Sequence, residues 1–392
     1  MFEHAEARPI DQIIAISRAY AEDPRTEKVD FGIGVYKDEM GNTPVMRAVK
    51  EAERRLVENQ TTKTYVGVGG DQRYVELFAN AVLPDHAYGR DILGIQSIGG
   101  SGAVRVLAEV ALALNPDATF WLPDPTWPNH QAILGAIGAP IERYPYVKFT
   151  AEPDIDAILA KLDTAKAGDV VIIHASCHNP TGIDPALEDL GRLVDGIVGR
   201  GLIPFVDAAY IGFGTGWNRD AARVAAVAER APEMLLALSC SKNFGIYRER
   251  TGAALLVSRG NPKLAATNST LLATARASYS MPPDHGAAIV RTILDDPELK
   301  ADWLAELEEI RNRINGNRSA LALALARAKQ DRDWTYIDKG QGMFSLLDVT
   351  PEAAARLREE QGVYIIPDGR MNIASLDASQ ADVVAAKLVS VL

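Results

Sequence analysis

Residues 201–213, GLIPFVDAAYIGF, and residues 235–257, LLALSCSKNFGIYRERTGAALLV, decide the fold. Each opens on an apolar run too short for a helix and suited to a strand buried on both faces, then breaks into small, polar and charged residues. A strand that ends in a carboxylate, Asp207, or in a serine-flanked lysine, Lys242, predicts a parallel sheet whose carboxyl ends open on a ligand crevice. Working outward, Ala118 to Pro123, Asp169 to Ala175, Ile203 to Val206, Leu235 to Ser239 and Ala253 to Val257 read as buried strands. Helical patterns fill the gaps. SGAVRVLAEVALALN follows Gly100 with apolar positions at three- and four-residue spacing, and PALEDLGRLVDGIVGRG begins with proline and ends with glycine. Alternation of this kind between about residues 95 and 258 predicts an α/β fold, a mostly parallel sheet between helices.

From Pro297 the texture changes: ELKADWLAELEEIRNRINGNRSALALALARAKQ reads as one long helix, followed by GMFSLLDV, a helix, GVYIIP, RMNIAS and a terminal helix. This predicts a smaller α+β domain, with which the segment before about Val45 is expected to pack. The expected division is a large domain over 45–296 and a discontinuous small domain over 1–44 and 297–392. No fixed-period repeat, low-complexity tract or linker interrupts the chain.

With 47% hydrophobic and 24% charged residues, the 392-residue chain has the composition of a globular protein with a sizeable core, which excludes disordered and fibrous classes. A net charge of -11 argues against a general nucleic-acid or anionic-membrane binder and leaves small molecules as the expected partners. The two cysteines, Cys177 and Cys240, lie far apart without metal-ligand spacing, so neither a disulfide framework nor a zinc site is expected. The N-terminal MFEHAEARPIDQII lacks the order of a secretion signal, and no apolar run reaches the roughly 18 residues of a membrane helix. A cytoplasmic location follows as the expectation.

Polar residues concentrate just after the strands: GGSG at 99–102, DPTWPNH from Asp124, HNPTG from His178, DAAY from Asp207 and SCSKNFGIYRER from Ser239. Most lysines are surface charges. Lys242 stands out for its small polar neighbours and for partners that suit one cofactor, since a desolvated amine loses its proton and can form a Schiff base. Asp207, at the end of LIPFV, would need a cation or donors if buried, and a pyridinium N–H is such a donor. Tyr210 and Asn179 could bond a phenolate oxygen on the same ring, and Trp127 could stack on its face. Gly100 and Ser101, at a helix start, could receive a phosphate, with Arg250 adding a two-pronged cation. Taken singly, each also fits a plainer role: a loop carboxylate, a packed tyrosine, a routine turn, a core tryptophan, a surface arginine.

Together, SCSKNFGIYRER, CHNPTG, DPTWPNH, VDAAYIGF and GVYKDEMGNTP resemble the aspartate and aromatic amino acid aminotransferases of fold type I, over nearly the whole chain. The resemblance implies pyridoxal 5'-phosphate as cofactor, carried on Lys242, which also shuttles the proton between the substrate Cα and the cofactor. It implies that Asp207 pairs with the pyridine nitrogen, Tyr210 and Asn179 bind the ring oxygen, Trp127 stacks, and Gly100, Ser101, Ser239 and Arg250 hold the phosphate. His130 and His174 become supports for the aspartate, and no metal is expected. Arg370, in PDGRMN, corresponds to the clamp for the substrate α-carboxylate, with Gly34 lining the same site. The family's homodimer implies that Tyr65 reaches the neighbour's phosphate and Arg276 the neighbour's distal carboxylate, so that a monomer is inactive. Gly99 stands where many relatives have serine. Met281 stands where strictly aspartate-preferring members carry an asparagine beside the distal arginine, which widens the expected donors to phenylalanine, tyrosine and tryptophan.

The expected activity is therefore a ping-pong transfer of the α-amino group of aspartate or an aromatic amino acid to 2-oxoglutarate. A β-eliminating lyase shares the lysine, aspartate and phosphate sites but needs no distal arginine such as Arg276. A pyridoxal-phosphate-sensing regulator carries an N-terminal DNA-binding segment, whereas here GVYKDE stands almost at the start. A nicotinamide dehydrogenase calls for an acidic residue about 20 positions after its glycine loop, and none sits on a following strand.

Overall fold

The computed structural model describes residues 2–6, 10–83 and 91–392. Among them are eleven strands: β1 (Val29–Asp30), β2 (Asp91–Ile98), β3 (Phe120–Asp124), β4 (Ile141–Pro145), β5 (Val170–His174), β6 (Ile203–Ala208), β7 (Glu233–Ser239), β8 (Thr251–Ser258), β9 (Phe344–Leu346), β10 (Val363–Tyr364) and β11 (Arg370–Asn372). Seven form a central sheet in the order β2-β8-β7-β6-β5-β3-β4. The strands from β4 to β7 run parallel to one another, while β8 is antiparallel to both β7 and β2.

All residues of β5 and β8 are buried, which explains their unbroken apolar runs. Along β5, Val170 and Ile172 pack into one hydrophobic layer and Val171 and Ile173 into the other, as the two-residue strand period requires. The first of these layers also takes the helix Gly99–Leu114 through Val104, Leu107 and Val110.

The five expected strands are present, with ends shifted by up to two residues. Two more, β2 and β4, close the sheet at its edges. Edge strands are half-solvated: Glu142, Arg143 and Pro145 of β4 are exposed, so no continuous apolar run marks it. The helix expected to open at Pro185 begins at Leu187, because Ala186 is still extended as its cap.

The long helix Pro297–Ala328 spans two cores. Leu299, Trp303 and Leu307 pack with the central sheet, while Leu321 and Leu325 pack with Trp334, Leu357, Ile365 and Leu388 of the C-terminal elements. Phe31 joins that second core. The N-terminal β1 pairs in parallel with β10, Val29 opposite Val363, and Asn372 Nδ2 donates to the carbonyls of Ile33 (2.6 Å) and Val35 (2.7 Å). Strands β9 and β11 pair antiparallel, Phe344 opposite Asn372 and Leu346 opposite Arg370. Among the described residues, no helix is long and apolar enough to cross a membrane.

Asp296 starts the long helix by accepting from the N–H groups of Glu298 (2.8 Å) and Leu299 (3.1 Å), with Pro297 in the first helical position and Arg55 paired to the free oxygen at 2.7 Å. Asp296→Ala is expected to cost about 1 kcal/mol of stability, seen as a lower urea midpoint at unchanged slope. An unchanged midpoint would mean that packing alone sets where this helix begins.

Candidate active site

The carboxyl ends of the parallel strands converge on one partly open cavity, as open α/β sheets place their ligand sites. Strand β6 delivers Asp207 and, one turn on, Tyr210; β5 delivers His174 and the loop to Asn179; β3 leads to Trp127; β7 leads from Ser239 to Ser241 and Lys242. At the end of β2 the helix Gly99–Leu114 begins, which brings Gly100 and Ser101 to the same wall. Because β8 is antiparallel, its start rather than its end lies on this edge, and Arg250 immediately precedes it.

Asp207 is 5% exposed. Burial pushes its carboxyl up, but a hydrogen bond from His130 Nε2 at 3.0 Å and the nearby charges of His130 and Lys242 bring it below the usual carboxylate range. The other ring nitrogen of His130 bonds Thr126 Oγ1 at 2.9 Å, so the imidazole is fixed at both ends. His174 stands beside Asp207 in the β5–β6 register, yet neither of its ring nitrogens has a partner. Burial pushes its imidazole down to about 4. Of the two histidines expected to support the aspartate, His130 makes the bond, while His174 is a neutral ring packed 5.4 Å from that of His130. Single ligand atoms of His130, His174 and Asp207 lie within 4.8 Å of one another, a spacing that could hold a metal ion, although His130 already spends both nitrogens.

Lys242 is half-buried, its Nζ 4.9 Å from the centre of the Tyr210 ring. Burial pushes its ammonium down to about 8; Asp207 opposes this, and the guanidiniums of Arg250 and Arg370 reinforce it. The Tyr210 hydroxyl accepts from Asn179 Nδ2 at 3.2 Å, and Asn179 Oδ1 is buried without a partner. Trp127 precedes the helix Pro128–Ala136, its ring edge-on to His130 at 5.2 Å.

No side chain caps the helix Gly99–Leu114, so the N–H groups of Gly100 and Ser101, which line the cavity, are left to bind an anion. Gly99 has φ +63°, and a Cβ there would lie 2.6 Å from Arg250 Nη2, so a serine at this position would displace the guanidinium. The Gly99 N–H donates to the Arg250 carbonyl at 2.8 Å, which ties the helix start to the residue that precedes β8. Ser239 packs against Gly100, where a Cβ would come within 3.1 Å.

Four expected site residues do not line this cavity. Arg370 is buried on β11, donates to the Gly32 carbonyl at 3.0 Å and lies 4.9 Å from the centre of the Phe344 ring, which in turn meets Tyr210 edge-on at 5.8 Å. Gly34 abuts that same ring, its would-be Cβ 3.0 Å from Phe344 Cζ. Tyr65 is 86% exposed, and Arg276, on the helix Leu264–Tyr279, is exposed with Nη1 on Ser280 Oγ at 2.8 Å. The Val66 N–H donates to Met281 Sδ at 3.2 Å, so the Tyr65 loop and the end of the Arg276 helix form one surface. Sequence reasoning missed Phe344 and Ser241. Ser241, beside Lys242 in SCSK, could have been read from its neighbours; Phe344, an apolar residue in a short strand, gives no chemical signal.

The family profile described as "Aminotransferase class I and II" matches residues 26–388. The chain is 41% identical over 384 residues to an aromatic-amino-acid aminotransferase of Paracoccus denitrificans, with 97% of each chain covered. It is 40% identical over 402 residues to an aspartate aminotransferase of Escherichia coli (strain K12), with both covered completely. Among solved structures, an aromatic-amino-acid aminotransferase of Burkholderia pseudomallei covalently bound to pyridoxal phosphate superposes with a TM-score of 0.94 at 37% identity, over 100% of this chain and 99% of the other.

With a pKa of about 8, Lys242 keeps roughly a tenth of its amine neutral at pH 7, far more than an ordinary lysine. Labelling of the cofactor-free chain by an amine-directed reagent is expected to modify Lys242 with a midpoint near pH 8, while exposed lysines follow midpoints above pH 10. Peptide mapping that shows Lys242 tracking the surface lysines would remove the claim of a desolvated amine.

Proposed function

Because the chain belongs to the class I and II aminotransferase family, we propose that it is a pyridoxal-phosphate-dependent aminotransferase that moves the α-amino group of aspartate or an aromatic amino acid to 2-oxoglutarate by a ping-pong route. The observation that carries this reading is a buried carboxylate, Asp207, tied to His130 on one strand end, with the softened amine of Lys242 over the Tyr210 ring at the next. Relatives named for aromatic amino acids and for aspartate, at similar identity, support the breadth of donors.

The residues fit the cofactor. Asp207 offers a carboxylate to a pyridine N–H; Tyr210 and Asn179 offer a phenol and an amide to the ring oxygen; Trp127 offers a flat face. Gly100, Ser101, Ser239 and Arg250 surround a helix start that lacks a cap, the arrangement a phosphate dianion needs. When bound, pyridoxal phosphate supplies an aldehyde that condenses with amines and a cationic ring that draws electrons from the substrate Cα. Lys242 Nζ removes the proton from the substrate Cα and returns it after rearrangement, a role matched to an amine titrating near the working pH. Asp207 keeps the ring nitrogen protonated because a buried carboxylate favours a cationic partner. Arg370 binds the substrate α-carboxylate beside Gly34.

The enzyme works as a homodimer. Tyr65 and Arg276, exposed on one surface of the single chain and linked through Val66 and Met281, belong to the neighbour's site, where they meet its phosphate and the substrate's distal carboxylate. The large domain spans 45–296 and the discontinuous small domain 1–44 with 297–392, a division supported by the pairing of β1 with β10. The protein acts in the cytoplasm on soluble amino and keto acids.

Lys242→Ala is expected to retain noncovalently held cofactor and to form no keto acid; full-rate transamination by this variant removes Lys242 as the proton carrier. Arg276→Leu is expected to lose about 3 kcal/mol in kcat/KM with aspartate and far less with phenylalanine. Paired steady-state rates that fall equally for both donors refute the distal-carboxylate role.

A further inference from the structure

Arg318, on the inner face of the long helix, is completely buried. Among the described residues, no carboxylate lies within 4.0 Å of it, which is unusual for a buried guanidinium. Burial pushes it down to about 10, so it remains a cation at neutral pH. Its terminal nitrogens donate instead to main-chain carbonyls, Nη1 to Ile337 at 2.9 Å, and Nη2 to Gly342 at 2.8 Å and Phe344 at 2.7 Å, while Nε has no partner among the described residues. The glycines around it leave room for nothing else. A Cβ on Gly340 would lie 2.6 Å from Nη1, and one on Gly182 would lie 2.4 Å from the Phe344 carbonyl.

The carbonyl of Ile337 belongs to the short helix Thr335–Lys339, and those of Gly342 and Phe344 to the segment that opens β9. Phe344 is its first residue; its ring lies between Tyr210 and Arg370, and its strand is laddered to β11, which carries Arg370. The Gln341 N–H also donates to the Gly182 carbonyl at 2.6 Å, so the loop that starts at Asn179 meets the same segment. We infer that Arg318 is a positioning residue for substrate binding: its planar fork fixes the start of β9 against the Asn179 loop and thereby sets the distance between Arg370 and the Tyr210–Lys242 wall. The inference rests on the reading of Arg370 as the α-carboxylate site. A lysine, with one nitrogen, cannot span carbonyls on both sides of the fork.

The test uses holoenzymes of the parent, Arg318→Lys, Arg318→Met, Gly340→Ala and Arg370→Ala, with 3-phenylpropionate, an unreactive aromatic monocarboxylate, titrated by cofactor absorbance. Arg318→Lys is expected to hold a full complement of cofactor while weakening the probe and raising the KM for phenylalanine on the order of tenfold, with a smaller change in kcat; Arg318→Met loses more. If the Arg318 variants fail to fold, Gly340→Ala, which pushes the guanidinium without deleting it, carries the same expectation. Parental affinity for the probe in Arg318→Lys or Gly340→Ala, alongside a loss in Arg370→Ala, overturns the role of Arg318 alone. Parental affinity in Arg370→Ala overturns the Arg370 reading and this inference with it.

Discussion

A carboxylate buried at the end of a central strand is the constraint around which the site is organised. Water cannot solvate Asp207, and an isolated ion there would cost several kcal/mol, so a proton donor must be built beside it. His130 is that donor on the protein side, and its ring is in turn held by Thr126. Both sit around Trp127, which opens the helix Pro128–Ala136. One short loop and helix therefore supply the aspartate's support and a flat aromatic face together, and neither can shift without the other.

Charge balance explains the rest of the cavity. Against one carboxylate stand the amine of Lys242 and the guanidinium of Arg250 in the cavity wall, with the guanidinium of Arg370 behind it, together with an uncapped helix start. Such a site favours ligands with several negative charges, and burial first, with repulsion from the two guanidiniums added to it, weighs on the group most able to give up a proton. That group is the lysine, because arginine stays protonated. The field that attracts a phosphate and a carboxylate thus adds to the burial that prepares the amine.

Much of this was legible in the sequence because chemistry and fold meet at strand ends. Asp207, Tyr210, Asn179, Ser239 and Lys242 follow runs such as VVIIH and LLALS whose burial is written in their composition. The edges of the sheet were not legible, since β2 and β4 share their faces with solvent and lose that pattern. Nor was the direction of β8: an apolar run carries no arrow. The signal was there, as the stretch from Cys240 to Arg250 is too short for a helical crossover and so forces a reversal. Arg318 reads as one more polar residue on a long helix, because its burial comes from the loop folded over it. The bond between His130 and Asp207, without a matching one from His174, likewise depends on ring orientation that spacing does not encode.

The reversal at β8 carries a consequence for how such a chain can vary. Lys242 and Arg250 stand at the two ends of a single eight-step bend, and both face the same ligand space. Lengthening or shortening that bend by even one residue would rotate one cation out of the cavity, so insertions and deletions should be excluded there. At the opposite ends of the strands, turns such as the one between Gly199 and Ile203 carry none of these cavity-lining groups, so a change of length there leaves both cations in place.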